Sequence, residues 1–165
     1  MLKFYKKALF SKLQNVTWLA ADVFDLDFTT RFDVIVLPDV LQYIPLEKQT
    51  LLFEKLKTWL SPKGFILLHF PTANFVAWSK TNDISKLNID DLEISDLHLA
   101  QCAAATHLEI KALEKYALWH RGGDYQYLVL QHFIKTNDFD TSSLPLWTKI
   151  LKHIKHNYLK IRYLI

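Results

Sequence analysis

Asp22, Asp39 and His69 stand at or near the ends of three short apolar runs: VTWLAA (residues 16–21), FDVIVLP (Phe32–Pro38) and FILLHFP (residues 65–71). A carboxylate accepts hydrogen bonds from amines and hydroxyls, and an imidazole exchanges protons near neutral pH. At the carboxyl ends of strands in an open α/β sheet such groups face a ligand. The stretch FDVIVLPDVLQYI carries Tyr43 into the same neighbourhood as Asp39. Asp39 and Tyr43 are therefore the candidates for catalysis or substrate contact. Each has an ordinary alternative: Asp39 as a helix cap and Tyr43 as a core aromatic. His69 reads as a satisfied core histidine before it reads as a base. The other histidines, among them His98, His107 and His132, lack metal-ligand spacing, so no metal site is expected.

Composition narrows what such a site can belong to. At 165 residues and 50% hydrophobic, the chain is sized for one compact domain with a sizeable core. Charged residues at 22% and aromatics at 14% argue against disorder. No apolar run approaches the ~20 residues that cross a bilayer. The opening MLKFYKKALFSKL has early lysines, but Lys12, Gln14 and Asn15 interrupt any apolar stretch, against a signal peptide. Cys102 is the only cysteine, so no intrachain disulfide can form and a reducing, cytoplasmic compartment is expected. Its setting, QCAAA, suits a small buried thiol rather than a nucleophile. The net charge of +3 is unevenly spread. Lys149, Lys152, Lys155, Lys160 and Arg162 fall within residues 144–165 without an Asp or Glu, which leaves the rest of the chain mildly acidic.

Periodicity supplies the elements that would position the candidates. Leu2, Tyr5, Ala8, Leu9 and Leu13 predict an amphipathic helix over the first dozen residues. VTWLAA predicts a short buried strand, ADVFDLDFTTR a polar connection and FDVIVLP a second strand. After Pro45, Leu51, Leu52, Leu56, Trp59 and Leu60 form one helical stripe, ended by SPKG with Gly64 suited to a left-handed conformation. FILLHFP is a third buried run. Strands apolar on both faces, interleaved with helices, predict a parallel sheet covered by helices. PTANFVAWSKTNDISKLNIDDLEISD reads as a polar excursion and LEISDLHLAQCAAATH as holding a helix. Residues 107–119 and 124–135 read as an antiparallel hairpin turning at Gly122-Gly123. The expected division is a domain at 1–135, a linker at 136–143 and a basic amphipathic helix at 144–165. The last either packs on the domain or meets a membrane surface, a protein partner or phosphates.

Four of these features, in this order, resemble class I S-adenosylmethionine-dependent methyltransferases. Asp22 matches the acidic end of that family's third strand. Phe32-Asp33 opens its fourth strand, which runs on into Val40-Leu41-Gln42-Tyr43-Ile44. Leu60, Pro62 and Gly64 match its Leu-x-Pro-x-Gly turn before the fifth strand, and the hairpin matches its sixth and seventh strands. The resemblance implies a Rossmann-like α/β sheet, mostly parallel with a terminal antiparallel hairpin. It implies methyl transfer from S-adenosylmethionine to a small-molecule acceptor, by positioning donor and acceptor in line. By the same resemblance Asp22 accepts from the adenine amino group, or instead caps local amides. Val23 offers its backbone amide to adenine, and Leu37 and Pro38 lie beside the methionine part or simply pack. LPDV lacks the second proline and following aromatic of the amide- and base-methylating enzymes, so DNA is not an expected partner.

The departure is equally specific. The family's cofactor loop needs glycines for close backbone approach, and this chain has three glycines, at 64, 122 and 123. Residue 1 falls about where the family's second helix begins. The expectation is a domain without the first two strands, active or inactive as such, that binds S-adenosylmethionine weakly or not at all. The family's sheet runs 3-2-1-4-5-7-6. Residues 16–21 are therefore expected to move in and pair with residues 34–37, leaving an edge open to dimerisation. A different reading is a non-catalytic interaction module acting through that edge or the basic tail. A nicotinamide-binding Rossmann domain needs the same missing glycine loop and leaves the Leu-x-Pro-x-Gly turn and the hairpin unexplained.

Overall fold

The computed structural model describes residues 16, 17, 19–87 and 91–133. Strand β1 (Phe32–Pro38) passes through a 3-10 turn (Leu41–Tyr43) into helix α1 (Leu46–Trp59), and β2 (Leu60–Pro71) returns beside β1. Helix α2 (Ala73–Asn82), a second 3-10 turn (Ile84–Lys86) and helix α3 (Asp96–Ala105) lead to the hairpin of β3 (Leu108–Tyr116) and β4 (Tyr125–His132). The sheet order is β1-β2-β4-β3. β1 and β2 are parallel, while β4 runs antiparallel to both β2 and β3. The expected hairpin is present, with Gly123 in the loop at φ +79°.

Strand alternation places Ile66, Leu68 and Phe70 of β2 with Leu128 and Leu130 of β4 on one face, all fully buried. α1 covers that face with Leu52, Phe53, Leu56 and Trp59, and α3 with Leu99, Cys102 and Ala103. The helical stripe is shifted from the sequence reading: Leu51 is exposed and Phe53 takes the core position. Gln49 is buried inside the stripe, where its Nε2 donates to the carbonyls of Leu41 and Ile44 and so fixes the 3-10 turn. Cys102 is a buried thiol, as expected, 3.4 Å from Thr50 Oγ1 and from His98 Nε2.

Several expectations are corrected. β1 is not buried on both faces: Val34 and Val36 are 49% and 51% exposed, on a face that no described helix covers. Val16, Thr17, Leu19 and Ala20 join no strand, so β1 has no partner on its outer edge among the described residues. The physical reason lies just downstream. Val23, Phe24, Leu26 and Phe28, in the segment that reads as a polar connection, pack against the core instead. Phe28 meets Phe32 and Trp59 edge-to-face, each at 5.1 Å, and Lys55 Nζ donates to the Leu26 carbonyl. With that flank taken, Val16 and Leu19 stay exposed, and β-propensity without a packing partner makes no strand. Gly64 is not left-handed and does not follow a helix end. It lies within β2, where a Cβ would sit 2.8 Å from the Asp33 carbonyl oxygen. The polar excursion holds α2, started by Thr72, whose Oγ1 accepts from the Phe75 N–H.

The compact unit ends at Phe133. The expected N-terminal helix, the linker at 136–143 and the basic helix at 144–165 lie outside the described residues. No described helix is long and apolar enough to cross a membrane.

Candidate active site

Two strand ends and the hairpin converge on His69. β1 hands over to the 3-10 turn at Asp39, whose φ of +52° lies in the left-handed region, where Asp is tolerated better than most residues. The Asp39 N–H donates to the His69 carbonyl at 2.7 Å, tying the ends of β1 and β2 together. The Asp39 side chain does not cap the turn, which begins at Val40 without a side-chain cap. Its Oδ1 lies 3.5 Å from His69 Nδ1, within ion-pair reach. On the far side of the ring, His69 Nε2 is 2.5 Å from the Tyr116 hydroxyl.

Register explains the rest. His69 stands opposite Tyr127, so Tyr125, two residues earlier on β4, shares its face and can reach it diagonally. The Tyr125 ring stacks on His69 with centroids 4.9 Å apart and planes 18° apart. Tyr116 is paired with Tyr125 at the last rung of the hairpin.

The setting is electronegative. Burial, then the charges of Asp39, Asp91 and Asp124 and the Tyr43 phenol, push the Tyr125 pKa up to about 12. Burial, then Asp39 and Asp124, raises the Tyr116 pKa as well. Both phenols therefore stay protonated at neutral pH. Burial pushes the Asp124 carboxyl up, but hydrogen bonds from the N–H groups of Leu118, Trp119 and His120 outweigh that and hold it below the usual carboxylate range. Asp124 thereby fixes the β3–β4 loop. Thr72 clamps the same loop from the start of α2, donating its N–H to the Asp124 carbonyl and its hydroxyl to the Gly123 carbonyl.

Asp39 and Tyr43, the sequence candidates, thus fall in one neighbourhood. Tyr43 is 39% exposed and is not a core aromatic. His69, which reads from sequence as a satisfied core residue, is the centre of the cluster. Tyr116 and Tyr125 are not among the sequence candidates. A tight turn at Gly122-Gly123 would set Tyr125 opposite His120; the connection instead spans residues 117–124 and sets Tyr125 opposite Tyr116.

The expected cofactor residues lie along the flank. Asp22 Oδ1 accepts from the Phe24 N–H at 2.8 Å, the local capping role that the sequence also allowed. Val23 and Leu37 are partly buried against the core. Both line a shallow groove of about 270 Å³ beside β1, with Val34, Val36, Leu56 and Trp59. Pro38 is exposed at the end of β1.

Strands running parallel and then antiparallel in the order β1-β2-β4-β3 make the 4-5-7-6 end of a Rossmann-like methyltransferase sheet. The chain has the fold of class I S-adenosylmethionine-dependent methyltransferases. It is similar to a S-adenosylmethionine-dependent methyltransferase from Clostridium acetobutylicum, at 11% identity and a TM-score of 0.55, over 69% of this chain and 63% of that one. The magnesium protoporphyrin IX methyltransferase of Synechocystis, solved with bound SAH, gives 14% and 0.56, over 70% of this chain and 51% of that one. The PH0226 protein of Pyrococcus horikoshii gives 15% and 0.60, over 79% of this chain and 64% of that one. The chain thus spans between half and two thirds of these structures' lengths. Its sequence matches no family model and no curated protein.

The residues fit S-adenosylmethionine on one side only. The groove beside Val23 and Leu37 is apolar and can hold the edge of a ring. Its lining offers no charged group for the cofactor's amino-acid end. None of the three glycines supplies a cradle: Gly64 serves close strand packing, and Gly122 and Gly123 belong to the hairpin loop.

Proposed function

We propose that this chain is a methyltransferase domain that moves a methyl group from S-adenosylmethionine to a nucleophile on a small-molecule acceptor. The observation that carries this reading is the line Asp39–His69–Tyr116 at the carboxyl ends of the parallel strands of a methyltransferase-type sheet. S-adenosylmethionine, when bound, supplies an electrophilic methyl group. The chain's own residues prepare the acceptor. Tyr116 keeps its proton at neutral pH, so its oxygen takes a proton from an acceptor hydroxyl only as its own passes to His69 Nε2. Asp39, at Nδ1, stabilises the imidazolium that results. Asp22 and the Val23 amide are assigned to the adenine edge, and Leu37 and Pro38 to the methionine part. A solved neighbour named for magnesium protoporphyrin IX supports a small-molecule acceptor.

Affinity for the cofactor is low. Two missing sets of polar contacts, at ~1.5–3 kcal/mol each, weaken binding by orders of magnitude. A titration of the isotope-labelled chain with S-adenosylhomocysteine, followed by amide NMR, tests both parts. Shifts confined to residues 22, 23, 37 and 39 at millimolar ligand are expected. Unmoved amides at those positions would sink the methyltransferase reading. Micromolar saturation would sink only the incomplete cradle.

A second reading is favoured by the outer edge of β1. Its backbone has no strand partner among the described residues, and Phe32, Val34 and Val36 are exposed beside it. On this reading the chain pairs edge-to-edge with a second copy of itself.

A further inference from the structure

Beside the His69 cluster a second cavity opens between α2 and the β3–β4 loop. It holds about 400 Å³, within the range of small-molecule sites, and is lined by Asn74, Phe75, Trp78, His120, the two loop glycines and Asp124. Its wall carries three rings, with Phe75 nearly parallel to His120 and to Trp78, and Trp78 tilted 44° to His120. Phe75 and His120 lie 5.3 Å apart at 24°, and Phe75 and Trp78 6.4 Å apart at 21°. Trp78 is 47% exposed, with Lys86 Nζ 5.1 Å from its ring centroid, which leaves part of a large aromatic surface open.

The cavity is built before any ligand arrives. Asp124 accepts from the His120 N–H, which holds that residue at the wall, and Thr72 anchors the loop to the first turn of α2. The lining is open at Gly122, where a Cβ would meet no atom within 4 Å. The chain passes directly from Asp124 in this wall to Tyr125, stacked on His69. The cavity wall is thus one residue along the chain from the ring that stacks on His69.

We propose that this cavity is the acceptor subsite, and that the acceptor carries a flat aromatic or heteroaromatic ring bearing the hydroxyl to be methylated. Aromatic faces in the wall reward a planar guest, which gains offset stacking that a puckered aliphatic ring of similar volume cannot match. That the guest is a methyl acceptor rests on the methyltransferase reading; that the cavity takes a flat ring does not.

The test uses the full chain with 2-naphthol and its fully saturated decahydro analogue as probes. Amide NMR should show 2-naphthol moving residues 74–78 and 120–124, with the saturated analogue bound about tenfold more weakly. Trp78→Ala should weaken 2-naphthol by about tenfold while Trp78→Phe keeps most of the affinity. Both replace a half-exposed side chain, so the fold should persist, as circular dichroism can confirm. Equal affinity for the two probes, shifts scattered elsewhere, or indifference to Trp78→Ala overturns the proposal. If naphthol binds here but S-adenosylhomocysteine moves nothing at residues 22, 23, 37 and 39, the ring site stands and the methyltransferase reading falls. Cofactor shifts without naphthol binding overturn the ring site and leave the methyltransferase reading standing.

Discussion

His69 and Tyr125 lie face to face, 4.9 Å apart, on adjacent antiparallel strands. The phenol is partly buried in an acidic neighbourhood, and its pKa rises to about 12. A phenol raised in the fold adds stability that is fully present below its unfolded pKa of ~10 and is lost as pH climbs through the folded value. Stability should therefore decline between about pH 10 and 12. Following tyrosinate absorbance, Tyr125→Phe should remove the latest-titrating component; a wild-type chain whose phenols all titrate near ~10 contradicts this.

Asp124 is 1% exposed and accepts from three backbone N–H groups. Asp124→Ala strands those donors and should cost about 2–4 kcal/mol in denaturant melts. Because the folded carboxyl is held low, its contribution is present above the unfolded value of ~3.9 and disappears as pH falls through the folded one. Asp124→Asn should flatten that acid limb. An unchanged limb would show that another carboxyl controls it.

Gly64→Ala puts a Cβ 2.8 Å from both the Asp33 carbonyl oxygen and Leu60 Cδ1. Backbone cannot yield as a flexible side chain can, so a loss of about 1–3 kcal/mol is expected. A neutral substitution would mean that the irregular β1–β2 register adjusts freely.

Gln126 is fully buried on the core face, and neither of its amide atoms has a partner among the described residues. An unpaired buried amide costs about 1–3 kcal/mol, so Gln126→Leu should stabilise the chain by about 1 kcal/mol. Destabilisation in the same melts would point to an ordered water bound to that amide.

Self-association through β1 predicts a concentration-dependent dimer by sedimentation. Val36→Lys, at a half-exposed position, should leave a folded monomer. Wild-type chain that stays monomeric at the highest soluble concentration rules out this use of the edge.

The parts legible in the sequence are those encoded by local pattern. The runs FDVIVLP and FILLHFP, the helix after Pro45 and the hairpin around Gly122-Gly123 all announce themselves by apolar spacing and turn chemistry. Residues 16–21 mislead because their strand-like composition needs a neighbour to pack against, and residues 23–28 occupy the flank instead. α2 is hidden by its many polar and half-exposed positions, although Thr72 marks its start. Of the site, Asp39 and Tyr43 are legible from position alone. Tyr116 and Tyr125 require the register of two strands, which no local pattern contains.

β4 enters the sheet between β2 and β3, although it is the last strand of the described chain. During synthesis from the N-terminus, β2 therefore waits with an unfilled edge until residues 125–132 have emerged. The layer around Ile66 and Leu68 cannot be completed by β1 and α1 alone, because Leu128 and Leu130 arrive with that final strand.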